Sequence, residues 1–561
     1  MCGIYGTTNL DTSLLRKMAS FDYKRGPDNF NIANISDVYF AHNLLHFSGS
    51  FDHATQPIKT KKNNLFAFAG EVYNYQELAK YLGLKFNDSI SDTEVICFGL
   101  EKEGESFLEK LDGMFAIAFF NSKKNQLILA RDQFGTKPLY YTNIAGGISF
   151  SSSIPSMRYL PIKFELNYFA INLYLTLGYF PFQFTPIEEI NSVPNGTVIS
   201  FDLSKKKNEI KQIKLHKSAC DDSKSFEETI LSTYEVNSDK NHSGILLSGG
   251  LDSSLIYAIL KKNSCQITPI ISMQKGWKNE DYKYAIELCN QFSDKPLLVE
   301  YDVAKFNNFF ESAYSKVNEP RYNPSFFLYD YVIGEASKNS VRMLLSGDGA
   351  DELFGGYNRY HSIMSKLPED YLNTYFDITK FNFQANTSVY ASDELANFTK
   401  DRYMEIASHI DINNNDTSLK RQLKCESQIG WLVNEALPRG DTIGAKYSIE
   451  LRYPFMRSDT YSLAMSLDDK QLCDKSTNKI YLKNLAKKYL PDELIYQKKV
   501  GWNFNYWDDF KNQKLNIYAW LKDKRDNFIS IIDTNQILQS GNKRVIFSWF
   551  SLLLWYENNK W

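Results

Sequence analysis

At 561 residues the chain is longer than one hydrophobic core sustains, which sets the expectation of two or more domains. An apolar share of 43% and an aromatic share of 15% provide for packed interiors and exclude a chain disordered throughout. A formal net charge of −2 leaves no basic field that would make nucleic acid a main partner.

The first residues, Met1 to Asp11, lack the basic and apolar regions of a secretory signal. From there to about residue 205, short apolar runs alternate with turn signals. Leu65–Asn74, Met114–Phe120, Gln126–Arg131 and Gly147–Ser153 read as strands of a strand-rich domain with a few helices. Residues 206–242 are polar and charged enough for a linker holding one short helix. From Gly244 an apolar strand runs into a serine- and glycine-rich turn and then a helix. Strand-like Ile267–Met273, helix-like Asp281–Phe292 and strand-like Pro296–Tyr301 follow. Strands alternating with helices of this length imply βαβ units and a parallel sheet. From about residue 355 the pattern is mainly helical. The longest apolar stretch, Val545 to Trp555, is too short to span a bilayer and reads as a buried helix. Seven cysteines (Cys2, Cys97, Cys220, Cys265, Cys289, Cys425, Cys473) form no CxxC pair and no cluster with histidine, so reduced thiols are expected. The expected protein is soluble and cytoplasmic, with no membrane partner.

The strongest local signal is Ser248-Gly249-Gly250-Leu251-Asp252-Ser253-Ser254, between a strand and a helix. Glycines let backbone N–H groups approach a phosphate, and the following helix N-terminus adds a favourable dipole. Ser248 and Ser253 offer hydroxyl donors, and Asp252 can hold a hard cation bridging phosphate oxygens. A second apolar strand opens into Ser346-Gly347-Asp348-Gly349-Ala350-Asp351-Glu352, where Asp351 can join Asp252 on Mg²⁺. The first turn resembles the pyrophosphate loop of enzymes that cleave ATP to AMP and pyrophosphate.

Both segments, with Glu450-Leu451-Arg452-Tyr453-Pro454-Phe455, resemble asparagine synthetase. So does Leu490 to Trp502, which places Lys499 at the family's lysine that stabilises negative charge as the acyl-adenylate forms. The resemblance implies that Leu246 and Met273 flank adenine or ribose. It places Ser248, Gly249, Gly250, Asp252, Ser253, Ser346 and Gly347 on ATP, and Asp348 where the family usually carries a catalytic glutamate. Arg439 and Asp441 fall in a matching region without an assigned role. ATP and Mg²⁺ are the implied cofactors.

Met-Cys-Gly-Ile opens the chain, and a small second residue permits removal of the initiator Met. Cys2 would then carry an α-amine able to act as base for its own thiol. With Arg25-Gly26-Pro27-Asp28, Gly70-Glu71-Val72-Tyr73-Asn74, Ser91-Asp92-Thr93-Glu94 and Ala130-Arg131-Asp132-Gln133-Phe134-Gly135, this resembles class II glutamine amidotransferases. The resemblance makes Cys2 the nucleophile and Gly70, Glu71 and Asp92 glutamine-binding. Two positions depart from that pattern. Leu44 stands where the family's arginine clamps the glutamine carboxylate, and Ala69 stands where an asparagine side chain completes the oxyanion hole. Impaired glutamine hydrolysis is therefore expected, with Asn43 and His46 as conceivable substitutes.

The implied fold is an α+β N-terminal-nucleophile domain, an αββα sandwich, over 1–205, joined by the linker 206–242 to an α/β parallel-sheet adenine-nucleotide domain over 243–561. The implied activity is ATP-dependent amidation of a carboxylate through an acyl-AMP, with aspartate as the default acceptor and nitrogen from glutamine or free ammonia. A sugar uronic acid or another small carboxylate as acceptor, and a non-catalytic interaction protein, are the competing readings. The partners implied are small molecules, and a homodimer is left open.

Overall fold

The computed structural model describes residues 1–10, 12–47, 51–84, 90–204, 207–212, 224–236, 242–275, 280–302, 313–379, 393–497, 521 and 542–559. Twelve strands make the first half: β1 (Gly3–Thr8), β2 (Asn29–Ile35), β3 (Val38–Leu44), β4 (Ile58–Lys59), β5 (Leu65–Val72), β6 (Gly113–Asn121), β7 (Gln126–Arg131), β8 (Tyr140–Ile144), β9 (Gly147–Ser151), β10 (Asn191–Ser192), β11 (Thr197–Asp202) and β12 (Lys207–Gln212). They form two six-stranded antiparallel sheets, ordered β10-β8-β9-β1-β3-β2 and β12-β11-β7-β6-β5-β4.

Period-two alternation explains the layering. Leu65, Ala67 and Ala69 of β5 pack between the sheets with Ala116, Ala118, Leu127 and Ile4. Phe66 and Phe68, on its other face, meet the helices Tyr75–Leu82 and Asp92–Glu103 through Leu78, Val95 and Leu100. On the outer side of the first sheet, Tyr5 packs with Leu15 and Met18 of the helix Thr12–Phe21. The result is an αββα sandwich. β12 pairs with β11 from Thr197↔Gln212 to Asp202↔Lys207, so the second sheet runs past residue 205 into the segment expected as linker.

The second half is built on a five-stranded parallel sheet, ordered β15-β14-β13-β16-β17, from β13 (Ser243–Leu246), β14 (Thr268–Gln274), β15 (Leu297–Tyr301), β16 (Met343–Leu345) and β17 (Glu450–Arg452). Ile245, Ile270, Leu344 and Leu345 are buried, as expected of strands with both faces covered. From β13 the chain proceeds outward through β14 and β15, then returns to lay β16 on the other side. Strand order thus reverses between β13 and β16, the place where open α/β sheets bind ligands beyond their carboxyl ends. The rest is mainly helical and closes with the helix Lys543–Asn559, whose Val545–Trp555 stretch is buried. No described helix is long and apolar enough to cross a membrane. The six described cysteines are free.

Candidate active site

The loops leaving β13 and β16 wall a cavity of about 780 Å³. Gly249 takes φ +86°, and a Cβ there would lie 1.9 Å from the Asp281 carbonyl oxygen, so only glycine fits this turn. The loop is tied by its serines: Ser253 Oγ accepts from the Ser248 N–H at 3.2 Å and lies 3.0 Å from Ser248 Oγ, which accepts from the Gly250 N–H at 3.2 Å. Gly347 of the opposite loop approaches this turn closely, since its Cβ would stand 3.1 Å from Asp252 Cβ.

Between the loops, Asp252 and Asp351 converge on one cation, the ammonium of Lys479. Its Nζ donates to both Asp252 oxygens at 2.7 Å and lies 2.8 Å from Asp351 Oδ1. Burial alone would lower the Lys479 ammonium, but the two carboxylates overcome it and raise it above its ordinary value. Lys479 sits at φ +54°, a conformation non-glycine residues rarely adopt and which clusters at active sites. A third acid, Asp348, accepts from Tyr329 Oη at 3.0 Å and Ser346 Oγ at 2.7 Å.

Leu246, Ser248, Gly250, Asp252, Ser253, Ser346, Gly347, Asp348 and Asp351 all line this cavity, and Gly249 shapes its wall. Met273, half-buried on β14, is not among the lining residues. Lys499 lies outside the described residues. The sequence reading missed Lys479. Its signal was electrostatic: two acids 99 residues apart in sequence and joined at one site require a cation, and Lys479 precedes a helix, Ile480–Ala486, that leads back over the loop.

Asp252 and Asp351 suit a divalent cation, because their oxygens already meet at a single point and a magnesium site needs only one or two carboxylates besides phosphate oxygens. No group of three or more His, Cys, Asp or Glu side chains makes an all-protein metal cage among the described residues.

At the other site, Cys2 is half-buried. Its Sγ accepts from the Leu45 N–H at 3.4 Å and donates to the Leu45 carbonyl at 3.6 Å. Burial pushes the thiol up to about 11. Burial likewise lowers the Met1 amine to about 5, with Met1 in place. Gly70, at φ +147° with its Cβ position 1.9 Å from the Met114 carbonyl oxygen, admits no other residue. Asp92 accepts from the Val72 N–H at 3.2 Å and the Thr93 N–H at 2.6 Å, and burial raises its carboxyl to about 6 against those donors. Glu71 is buried, and its Oε2 is held at 2.7 Å by Arg452 from the parallel sheet. The Asn43 amide donates to the Ala19 carbonyl at 2.9 Å and so is already engaged. Leu44 and Ala69 are both buried, Ala69 in the core between the sheets, which Cys2 also touches.

Charges bind the two halves together here. Arg25 pairs with Asp441 at 3.0 Å and donates Nε to the Cys2 carbonyl at 3.2 Å. Lys137 lies 3.8 Å from Asp441 and 3.7 Å from Glu450, and Arg452 pairs with Glu450 at 2.9 Å as well as with Glu71. Arg457 crosses to Asp112, donating Nε at 3.0 Å.

A phosphate-type loop at the switch point of a parallel sheet, fused to an antiparallel sandwich that begins with cysteine, defines an ATP-using ligase joined to an amidotransferase-type domain. The comparisons agree. The family model described as glutamine amidotransferase domain matches residues 1–213, and that described as asparagine synthase matches residues 237–544. Asparagine synthetase (glutamine-hydrolyzing) 1 of Bacillus subtilis (strain 168) is 24% identical, over 100% of this chain and 97% of that protein. Asparagine synthetase (glutamine-hydrolyzing) 3 of the same organism is also 24% identical, over 99% and 96%. The chain belongs to the asparagine synthase family and is an amide ligase.

Proposed function

We propose that the protein amidates a carboxylate, with aspartate as its acceptor, by way of an acyl-adenylate. The observation that carries this reading is the convergence of Asp252, Asp351 and Lys479 beside the Ser248–Ser253 turn in one cavity. The serine hydroxyls and loop N–H groups receive the phosphates of ATP, Gly249 giving the turn its shape. Asp252 and Asp351 would hold Mg²⁺, which when bound neutralises phosphate charge. The acceptor carboxylate attacks the α-phosphorus and pyrophosphate leaves. Lys479 keeps positive charge at the place where negative charge develops. Asp348, held by Tyr329 and Ser346, is oriented toward the acyl group and takes the proton that ammonia must lose as it displaces AMP. The cavity walls shield the intermediate from water, which would hydrolyse it.

For nitrogen, the features favour free ammonia over glutamine. A clamp for the glutamine carboxylate is absent at Leu44, and Ala69 offers no oxyanion donor. One missing oxyanion donor alone costs about 10²–10³ in rate.

The test is pyrophosphate and AMP release from ATP with aspartate, supplied either with ammonium or with glutamine. Aspartate-dependent release with ammonium, and at least ~100-fold lower kcat/KM with glutamine, is the expected result. Glutamine serving as well as ammonium would overturn the nitrogen assignment, and no acceptor-dependent pyrophosphate from aspartate would overturn the acceptor.

A further inference from the structure

Besides Ser346–Asp348 the cavity is lined by Tyr322, Tyr329, Trp431 and Arg439. Arg439 is 3% exposed, and its guanidinium lies 4.6 Å over the Tyr329 ring and 5.7 Å from the Trp431 ring. It donates Nη1 to Ser325 Oγ at 3.0 Å and lies 3.5 Å from Glu435, a fully buried acid behind it. Its Nε has no hydrogen-bond partner. A buried N–H without an acceptor is costly, and a bound oxygen would recover that cost. The backbone between Trp431 and Arg439 is wound as a π-helix over Leu432–Ala436, a distortion that recurs at functional sites because it re-aims side chains. The same Tyr329 that lies under the guanidinium donates its hydroxyl to Asp348, so Arg439 stands one aromatic ring away from the acid of the acylation site.

We propose that Arg439 is the specificity-determining residue for the acceptor, binding the second carboxylate of a dicarboxylic acid whose first carboxylate is adenylated beside Ser346–Asp348. The assignment rests on the amidation reading above and names the part of the acceptor that this residue selects. A guanidinium recognises a carboxylate through paired N–H donors, which an ammonium cannot reproduce. The aromatic walls strip water from the pair and strengthen it. Asp348, on the other edge of Tyr329, provides the negative group suited to the amino group of aspartate.

The experiment compares aspartate with β-alanine, which keeps the reacting carboxylate and the amino group but lacks the second carboxylate. Pyrophosphate release with ammonium is measured for the full-length wild type, Arg439→Lys, and Arg439→Met combined with Glu435→Gln, the last so that no buried acid is left uncompensated. ATP binding by each variant is measured alongside, and a value within threefold of wild type reports an intact fold and nucleotide site. Wild type is expected to favour aspartate over β-alanine by at least ~100-fold in kcat/KM, the size of preference a lost charged contact produces. Both variants should lose most of that preference by a raised KM for aspartate, with β-alanine turnover and ATP binding little changed. Retained preference in both variants, or an equal fall for both acceptors, would overturn the role of Arg439 while leaving the amidation reading intact. Absence of pyrophosphate release by wild type with either acceptor would overturn both.

Discussion

Replacing Lys479 by Met removes the ammonium and keeps most of the side-chain volume. In the chain as it stands, that ammonium holds two Asp252 oxygens at 2.7 Å and Asp351 at 2.8 Å, with its side chain only 8% exposed. The variant therefore leaves two enclosed carboxylates facing each other without a cation. Removing one partner from a buried pair costs about 3–5 kcal/mol, which for a half of this size lowers Tm by on the order of 10 °C. The catalytic loss is separate. Withdrawing one positively charged donor from the developing phosphate charge is expected to slow adenylation about 10²–10³-fold, or ~3–4 kcal/mol of barrier. Magnesium distinguishes the two effects. An ion between the carboxylates replaces the missing charge in the resting site and raises Tm with concentration, as any ligand of the folded state does. It cannot replace the lysine's contact with the reacting phosphate, so the rate deficit persists at saturating Mg²⁺. The assay is aspartate-dependent pyrophosphate release with ammonium for Lys479→Met and Lys499→Met side by side, with Tm recorded across a magnesium series. A Lys479→Met rate within threefold of wild type refutes the reasoning. So does a large loss confined to Lys499→Met.

Gly249→Ala forces a Cβ into left-handed backbone and against the Asp281 carbonyl, so ATP affinity should fall at least ~10-fold. Gly250→Ala, whose added carbon meets nothing nearer than Ser248 Oγ at 3.4 Å, is the matched control, and equal ATP binding by both variants would discount the turn. Glu71→Gln and Arg452→Met should each lower Tm, while the double variant loses less than their sum, with a coupling of about 1–3 kcal/mol; strict additivity would show that the pair does not join the halves. Burial raises the Glu319 carboxyl to about 7. Between pH 4.5 and 7 the unfolded chain has already lost this proton while the folded chain keeps it, so stability falls as pH rises through that window and levels off above it. The Tm of Glu319→Gln minus that of wild type should accordingly climb from pH 5 to pH 8, by on the order of 3 kcal/mol in stability, and a flat difference would mean that Glu319 is ionised throughout.

Much of the fold was legible because each strand faces a definite environment. β5 reads as a strand from its run of apolar residues, and its alternating faces follow from period two once two layers exist. The Ser248–Ser254 turn was legible because backbone geometry restricts it to glycine and to short hydroxyl side chains. Lys479 was not, since it reaches Asp252 across 227 residues of sequence and sits in a turn, Ser476-Thr477-Asn478, with no periodicity to mark it. Met273 was placed by resemblance alone, and it is not among the residues lining the cavity. Glu71 was expected as a glutamine ligand from the Gly70–Asn74 segment, although Ala69 beside it departs from the pattern. What that reading could not contain is Arg452, which comes from the other half to occupy the carboxylate.

Arg452 also bears on how charge is arranged in the pocket near Cys2, where the clamp expected at position 44 is absent. The buried charges around it are Arg25, Lys137 and Arg452 against Glu71, Asp441 and Glu450, and they neutralise one another through contacts of 2.7–3.8 Å. The same ion pairs run from the sandwich to β17, beyond which Phe455 and Met456 pack against the cavity loop at Gly349. Buried pairs contribute little net stability, but their geometry is exacting. The N-terminal half is thus tied by buried ion pairs to β17, beside the cavity loop, and that contact is independent of whether Cys2 ever meets glutamine.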